Sequence, residues 1–131
     1  MDRLLTHPAR VLSAALAVAA LFAGSSASAG DAAAGRSIYN SRCAQCHSAA
    51  SNGPTILGPT LFGVVGRKAG TVHGFAYSSA MTASGLVWTD DRLLAYLPAP
   101  AKLVPGTKMT FVGLKSPVQL SDLIAYLGTL H

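Results

Sequence analysis

The sequence predicts a small all-α domain with three main helices, a shorter helix and long loops. Apolar residues near the carboxyl end recur at helical spacing, and two earlier segments carry helix start signals. Between them, residues 48–77 are rich in glycine and have neither helical nor strand periodicity. A loop that long in so short a chain has no core of its own. We therefore expect the loops to be held by contacts to a bound apolar group.

The first 29 residues have the features of a cleavable secretory signal peptide. Arg3 and Arg10 form a basic start, residues 11–23 are uncharged and apolar, and residues 27–29 are small, as a cleavage site requires. The apolar stretch is shorter than the ~20 residues that span a bilayer, so we expect no stable membrane insertion. An uncleaved anchor is the alternative. The folded domain is expected to be residues 30–131.

Length and charge limit the classes of function. Residues 30–131 suffice for one domain with one core, which we expect to be monomeric. They contain eight Lys and Arg against four acidic residues, an excess that suits an acidic partner surface. The basic residues are too few and too scattered for a nucleic-acid stripe, so no nucleic-acid binding is expected.

The first predicted helix covers residues 31–42, with Asp31 as its N-cap. Gly35 and Tyr39 lie on one face of this helix. A glycine costs about 1 kcal/mol of helix propensity relative to alanine, which is tolerable if another helix crosses closely at that point. The alternative is an exposed glycine without a packing role.

The helix runs directly into Cys43-Ala-Gln-Cys46-His47, the attachment signature of c-type haem. Positions 43 and 46 lie on one face of a helical turn, so both sulfurs can reach one haem edge while His47 turns beneath the iron. A thioredoxin-like motif would need a preceding strand, and structural zinc would need about four ligands. A disulfide across so short a loop would stabilise little and would not explain His47.

Two further helices are predicted in the middle of the chain. A short one covers residues 78–84 and is closed by Gly85. Another begins at Thr89, carries acidic residues at its positive end, and is expected to be stopped by Pro98 and Pro100.

The last helix has the clearest start. Ser116 is a candidate N-cap, Pro117 occupies the first helical position, and Gln119 completes a capping box. An amphipathic stripe follows, formed by Leu120, Leu123, Ile124 and Leu127. Such a stripe must be buried, so we expect this helix to pack against the first helix and to support the cofactor cavity.

A haem with one histidine ligand leaves the sixth position of the iron open. Met81 and Met109 are the candidates outside the signal peptide. Met109 lies in a loop punctuated by proline and glycine, which favours it as a ligand, whereas Met81 lies on the short helix. The residues alone leave both methionines open, because a buried methionine commonly fills a gap in a core.

From Gly30 to its end, the chain resembles the class I cytochromes c, the small soluble proteins of mitochondrial type and their bacterial periplasmic relatives. The resemblance covers the first-helix glycine and aromatic, the haem motif and the loop that follows it. The matching positions are Gly35, Tyr39, Cys43, Cys46, His47, residues 58–63 and 66–70, Trp88, Tyr96, Pro100, residues 105–109 and residues 123–127.

The resemblance implies the cytochrome c fold, with helices and long loops wrapped around a single haem c bound through Cys43 and Cys46. It implies His47 and Met109 as the iron ligands, with the Pro59 carbonyl orienting the imidazole. Further residues that it assigns to the site are Tyr96 near the Met109 sulfur, Arg67, Tyr77, Trp88 and Ser78 at a haem propionate, and Thr107 and Lys108 in the ligand loop. Met81 stands where the mitochondrial proteins usually have asparagine, which puts the local hydrogen-bond network in doubt.

The resemblance further implies an electron-transfer protein rather than an enzyme. We expect a soluble, periplasmic one-electron carrier of a respiratory or photosynthetic chain, cycling between Fe(II) and Fe(III). Its expected partners are redox proteins with acidic docking surfaces: a membrane cytochrome complex, an oxidase, a dehydrogenase or a reaction centre. One rival is a ligand-binding or peroxidatic cytochrome. The other is a permanently bound subunit, which would need an apolar docking patch that the sequence does not display.

Overall fold

The computed structural model describes residues 29–131, so the predicted signal peptide lies outside the described residues apart from Ala29. This part of the chain forms five helices: α1 Ala32–Arg42, α2 Ser79–Ala83, α3 Asp90–Tyr96, α4 Pro100–Leu103 and α5 Pro117–Leu127. Its extended structure consists of one isolated antiparallel bridge between Lys68 and Val87. The predicted all-α class is confirmed.

The predicted helix starts coincide with side-chain caps. The Asp31 carboxylate accepts from the backbone N–H groups of Ala33 and Ala34 at 2.8 and 3.2 Å, and the Ser116 hydroxyl accepts from Gln119 N–H at 3.3 Å. Capping hydroxyls also begin the two middle helices: Ser78 caps α2 and Thr89 caps α3. Each cap satisfies a backbone donor that has no partner inside its own helix.

Helix α4 was not predicted, because Pro100 was interpreted as a stop signal. The structure shows instead that α3 ends at Tyr96 and that Pro100 begins a new helical turn. A proline fits the first helical position because its missing N–H would have no helical acceptor there.

Helices α1 and α5 cross at very close range. A Cβ atom on Gly35 would overlap the carbonyl oxygen of Asp122, so only glycine fits at this point of the crossing. Beside it, the rings of Tyr39 and Tyr126 pack with their centroids 5.4 Å apart. The prediction of a close helix crossing at Gly35 is confirmed, and the exposed-glycine alternative is wrong.

The long loop from 48 to 77 is tied to distant segments by backbone hydrogen bonds. Gly63 N–H donates to Leu130 at 2.6 Å, and Gly66 N–H donates to Trp88 at 2.8 Å. Gly66 has φ +84°, a conformation that glycine adopts without strain. The core residues come from the helices and these loops: Tyr39, Val64, Ala69, Met81, Trp88, Leu93, Tyr96, Leu97, Val104, Leu114, Leu120, Leu123, Ile124 and Leu127.

Within residues 29–131, every helix is too short or too polar to cross a bilayer.

Candidate functional site

A cavity of about 580 Å³ lies between the helices and the long loops. This volume falls within the range of about 300–1,000 Å³ that is typical of small-molecule and cofactor sites. The twelve residues assigned to the site from the sequence all line the cavity: Cys43, Cys46, His47, Pro59, Arg67, Tyr77, Ser78, Trp88, Tyr96, Thr107, Lys108 and Met109. Residues separated by more than sixty positions in the chain are thus brought to one space.

The two thiols enter the cavity from the turn that ends α1. Cys43 N–H donates to the carbonyl of Tyr39 at 2.8 Å, which continues the helical path into the motif. Both cysteines are half-buried and are not joined in a disulfide. Burial raises the pKa of Cys43 to about 11, although nearby Arg42 acts in the opposite direction. Cys43 is therefore a neutral thiol at pH 7.

The His47 imidazole is oriented by the chain twelve residues further on. Its Nδ1 lies 2.7 Å from the carbonyl oxygen of Pro59. Because a carbonyl can only accept, Nδ1 carries the proton and the lone pair is on Nε2. Burial lowers the pKa of His47, the bond to Pro59 opposes this, and Arg67 adds to the lowering. His47 is therefore neutral at pH 7, the form that binds a metal ion.

The thioether of Met109 is held by a hydroxyl. Tyr96 Oη donates to Met109 Sδ at 3.3 Å, and the Met109 backbone N–H donates to Thr107 Oγ1 at 3.2 Å. Burial raises the pKa of Tyr96, while a hydrogen bond with Thr107 acts in the opposite direction. The tyrosine thus stays a donor at neutral pH and restrains the sulfur within the cavity.

Arg67 is partly engaged by the loop that carries it. Its guanidinium donates to the carbonyls of Phe62 and Thr60 at 2.8 and 2.9 Å. A guanidinium has five N–H donors, so further donors remain for an anion in the cavity. Tyr77 accepts from Val72 N–H at 3.1 Å and keeps its own proton to donate. Both side chains could therefore bind a carboxylate.

Several cavity residues were missed by the sequence analysis. Leu57 and Phe111 line the cavity, and the guanidinium of Arg42 lies 5.9 Å from the centroid of the Phe111 ring. Phe111 could have been predicted to line the cavity, because it lies two residues after Met109 in the same loop. Leu57 gave none, because it lies in a segment without periodicity.

Comparison with known proteins gives one consistent result. The family model described as Cytochrome c matches residues 32–131. A protein named Cytochrome c 2.1 from Caenorhabditis briggsae is 50% identical over 99 residues, covering 76% of this chain and 88% of the relative. Cytochrome c of Gibberella zeae is 47% identical over 98 residues, which cover 75% of this chain and 92% of the relative. Cytochrome c of Trypanosoma brucei brucei is 56% identical over 82 residues, which cover 63% of this chain and 88% of the relative.

The chain belongs to the cytochrome c family. Members of this family are electron carriers rather than enzymes, they act with redox partners, and they bind haem c covalently. The residues present fit that cofactor: Cys43 and Cys46 have the attachment spacing, and the cavity they line is mostly apolar. A neutral imidazole and a restrained thioether line the same cavity, which gives a donor set suited to iron.

Proposed function

We propose that the chain is a one-electron carrier of a respiratory or photosynthetic chain, and that His47 and Met109 would bind its haem iron. The supporting observation is that one cavity is lined by both thiols, by an imidazole with its lone pair on Nε2, and by a thioether that a hydroxyl restrains. When bound, the haem supplies the one-electron couple of Fe(II) and Fe(III).

The protein's own residues hold this site in one arrangement. Pro59 fixes the imidazole through Nδ1, and Tyr96 fixes the thioether through its sulfur. If His47 and Met109 both bound the iron, no position would remain for a substrate, which favours a carrier over a ligand-binding or peroxidatic cytochrome. Ligands that move little between oxidation states keep the cost of reorganisation low.

We propose that a propionate of the haem is bound by Arg67, Tyr77 and Trp88, with Ser78 close by. Arg67 and Tyr77 both line the cavity and retain donors, as described above. The Ser78 hydroxyl accepts from Met81 N–H at 3.0 Å and keeps its own proton to donate. A buried carboxylate needs several such donors to offset the loss of its hydration.

We propose that the protein is exported and works in the periplasm, with residues 1–29 removed. The basic start, apolar stretch and small cleavage-site residues of this segment support export. Intact mass of the exported protein should equal the chain from Gly30 plus one haem. Free thiols at Cys43 and Cys46, or a haem that acid-acetone extracts, would contradict covalent attachment.

We propose that redox partners with acidic surfaces dock over the cavity mouth. Arg42 and Lys108 line the cavity, and Lys102 and Lys115 are exposed nearby in the chain. Lys108 and Lys115 donate to the carbonyls of Ala76 and Pro98, so their ammonium groups are fixed in place.

The sequence displays no apolar docking patch, but two apolar side chains at or beside the cavity lining are exposed. Leu57, which lines the cavity, is 76% exposed, and Val112, next to Phe111, is 82% exposed. Apolar contacts can therefore add to the docking that the cations steer. This observation also keeps the bound-subunit alternative open, and the mass of the complex isolated under native conditions tests it.

The ligand assignment is tested with two methionine variants of the haem-loaded protein. Met109→Ala should abolish the weak near-infrared band from sulfur-to-iron charge transfer in the oxidised protein, and should let the reduced protein bind carbon monoxide. Met81→Ala is the matched control, because Met81 lines the same cavity, and it should keep the band. The reverse pattern would show that Met81 is the ligand.

A further inference from the structure

Tyr39 carries a polar group into the crossing of α1 and α5. The residue lies in α1 and is 5% exposed, with its ring against Tyr126 of α5. A phenylalanine ring could provide this packing. The hydroxyl of a buried tyrosine, by contrast, needs a hydrogen-bond partner. Its partner here is the backbone carbonyl oxygen of His47, at 2.6 Å.

The main chain of Tyr39 holds the other end of the same segment. Its carbonyl oxygen accepts from Cys43 N–H at 2.8 Å and from Ala44 N–H at 2.9 Å. The haem-attachment segment, Cys43 to His47, is thus bound at its first residues by the Tyr39 backbone and at its last residue by the Tyr39 side chain. One residue of α1 therefore spans all five positions.

The other hydrogen bonds of the segment leave its last carbonyl unrestrained. His47 N–H and Cys46 N–H both donate to Cys43 at 3.0 Å, and the Cys46 carbonyl accepts from Gly58 N–H at 2.8 Å. Among the described residues, the donor to the His47 carbonyl is the hydroxyl of Tyr39. Without it, the peptide that follows the imidazole could rotate.

We propose that Tyr39 is a positioning residue for His47: its hydroxyl fixes the His47 backbone, and so fixes the direction in which the imidazole presents Nε2. The inference rests on the proposed role of His47 as an iron ligand. His47 is then restrained by two hydrogen bonds. The Tyr39 hydroxyl binds its backbone carbonyl, and the Pro59 carbonyl binds its Nδ1. The crossing of α1 and α5 is thereby connected to the axial ligand.

The test compares Tyr39→Phe with Tyr126→Phe in the haem-loaded protein. Both variants lose one hydroxyl from the same ring pair and keep the ring, so both should fold. Three quantities are measured: the free energy of unfolding, the midpoint potential, and the exchange rate of the His47 Nδ1 proton by NMR. A net hydrogen bond commonly corresponds to a factor of up to about ten in an equilibrium constant.

In Tyr39→Phe, we expect the exchange of the Nδ1 proton to speed up by up to about tenfold and the midpoint potential to move from that of the wild type. Tyr126→Phe should match the wild type in both. If Tyr39→Phe loses stability but matches Tyr126→Phe in exchange rate and potential, the hydroxyl is merely structural and the proposal is wrong. A wild-type protein that carries no covalent haem would contradict the proposed function itself.

Discussion

Gly58 determines how closely the backbone approaches the imidazole of His47. A Cβ atom at this position would lie 2.7 Å from Nδ1, closer than real Cβ contacts allow. The next residue supplies the carbonyl that binds the same nitrogen. A side chain at 58 would push the imidazole away from Pro59, so glycine here serves the orientation of the ring rather than a turn.

At alkaline pH, Tyr96 should make the free energy of unfolding depend on pH. Burial raises the pKa of its phenol above the ordinary value of 10, so the unfolded chain loses this proton first. The stabilisation is complete below about pH 10 and is lost as the pH rises through the folded pKa. One such group gives a slope of up to about 1.4 kcal/mol per pH unit.

Replacing Tyr96 with phenylalanine should make the fall in stability above pH 10 shallower. Urea unfolding at pH 8 and at several values above 10 measures this slope, with Tyr126→Phe as the control for losing one phenol. Equal slopes for Tyr96→Phe and the wild type would show that the phenol ionises alike in the folded and unfolded states.

The chemistry of single residues was predictable where a motif or the family resemblance addressed it. The pairing of His47 with Pro59 and the approach of Tyr96 to Met109 are expected from the resemblance, and the structure has both contacts. The bond from the Tyr39 hydroxyl to His47 was not expected. Its two residues lie eight positions apart across the end of a helix, where no periodic pattern relates them.

At the scale of helices, the crossing of α1 and α5 depends on Gly35. Alanine has about 1 kcal/mol better helix propensity than glycine. Its Cβ, however, would overlap the backbone carbonyl of Asp122, which cannot move aside as a flexible side chain could. Overpacking costs about 1–3 kcal/mol in ordinary cores, and the propensity gain offsets part of this.

Gly35→Ala should therefore lower the free energy of unfolding by about 1–2 kcal/mol, as measured by urea titration. Asn40→Ala is the matched control, because Asn40 is an exposed residue of the same helix. Its effect should stay within about 0.5 kcal/mol. A Gly35→Ala variant as stable as Asn40→Ala would show that the helices can separate at no cost.

Helix starts were predictable because capping is local. Asp31, Ser78, Thr89 and Ser116 each bind an N–H two or three residues ahead, a relation that the sequence displays directly. Helix α4 was not predictable from the same signals, because Ala99 before Pro100 offers no side-chain cap. The bridge between Lys68 and Val87 was not predictable from local signals, because it joins segments that are distant in the sequence.

For the whole molecule, the charged side chains that line the cavity are basic. Among residues 29–131, the cavity is lined by Arg42, Arg67 and Lys108 and by no acidic residue. The acids of residues 29–131 are Asp31, Asp90, Asp91 and Asp122, all on or beside helices α1, α3 and α5. If partners dock there as proposed, these cations attract an acidic surface, and added salt should screen this attraction over about 8 Å at physiological ionic strength.

Electron-transfer rates with an acidic partner should accordingly fall as ionic strength rises. Arg42→Glu should lower the association rate, because Arg42 lines the cavity. Lys108 is a poorer test because its ammonium also binds the Ala76 carbonyl. Lys68→Glu is the control, since Lys68 is exposed and does not line the cavity. Stopped-flow rates that do not change with salt, or equal effects of Arg42→Glu and Lys68→Glu, would contradict docking steered by the cations of the cavity.

The crossing of α1 and α5 joins the first and last helices of the described residues, so it forms only when α5 is present. When two contacting segments lie far apart in sequence, their contact requires closing a long loop, which lowers the conformational entropy of the chain. Gly35 cannot reach Asp122 until nearly the entire chain is available. Before that, the contact with α5 does not restrain the cysteines that follow α1.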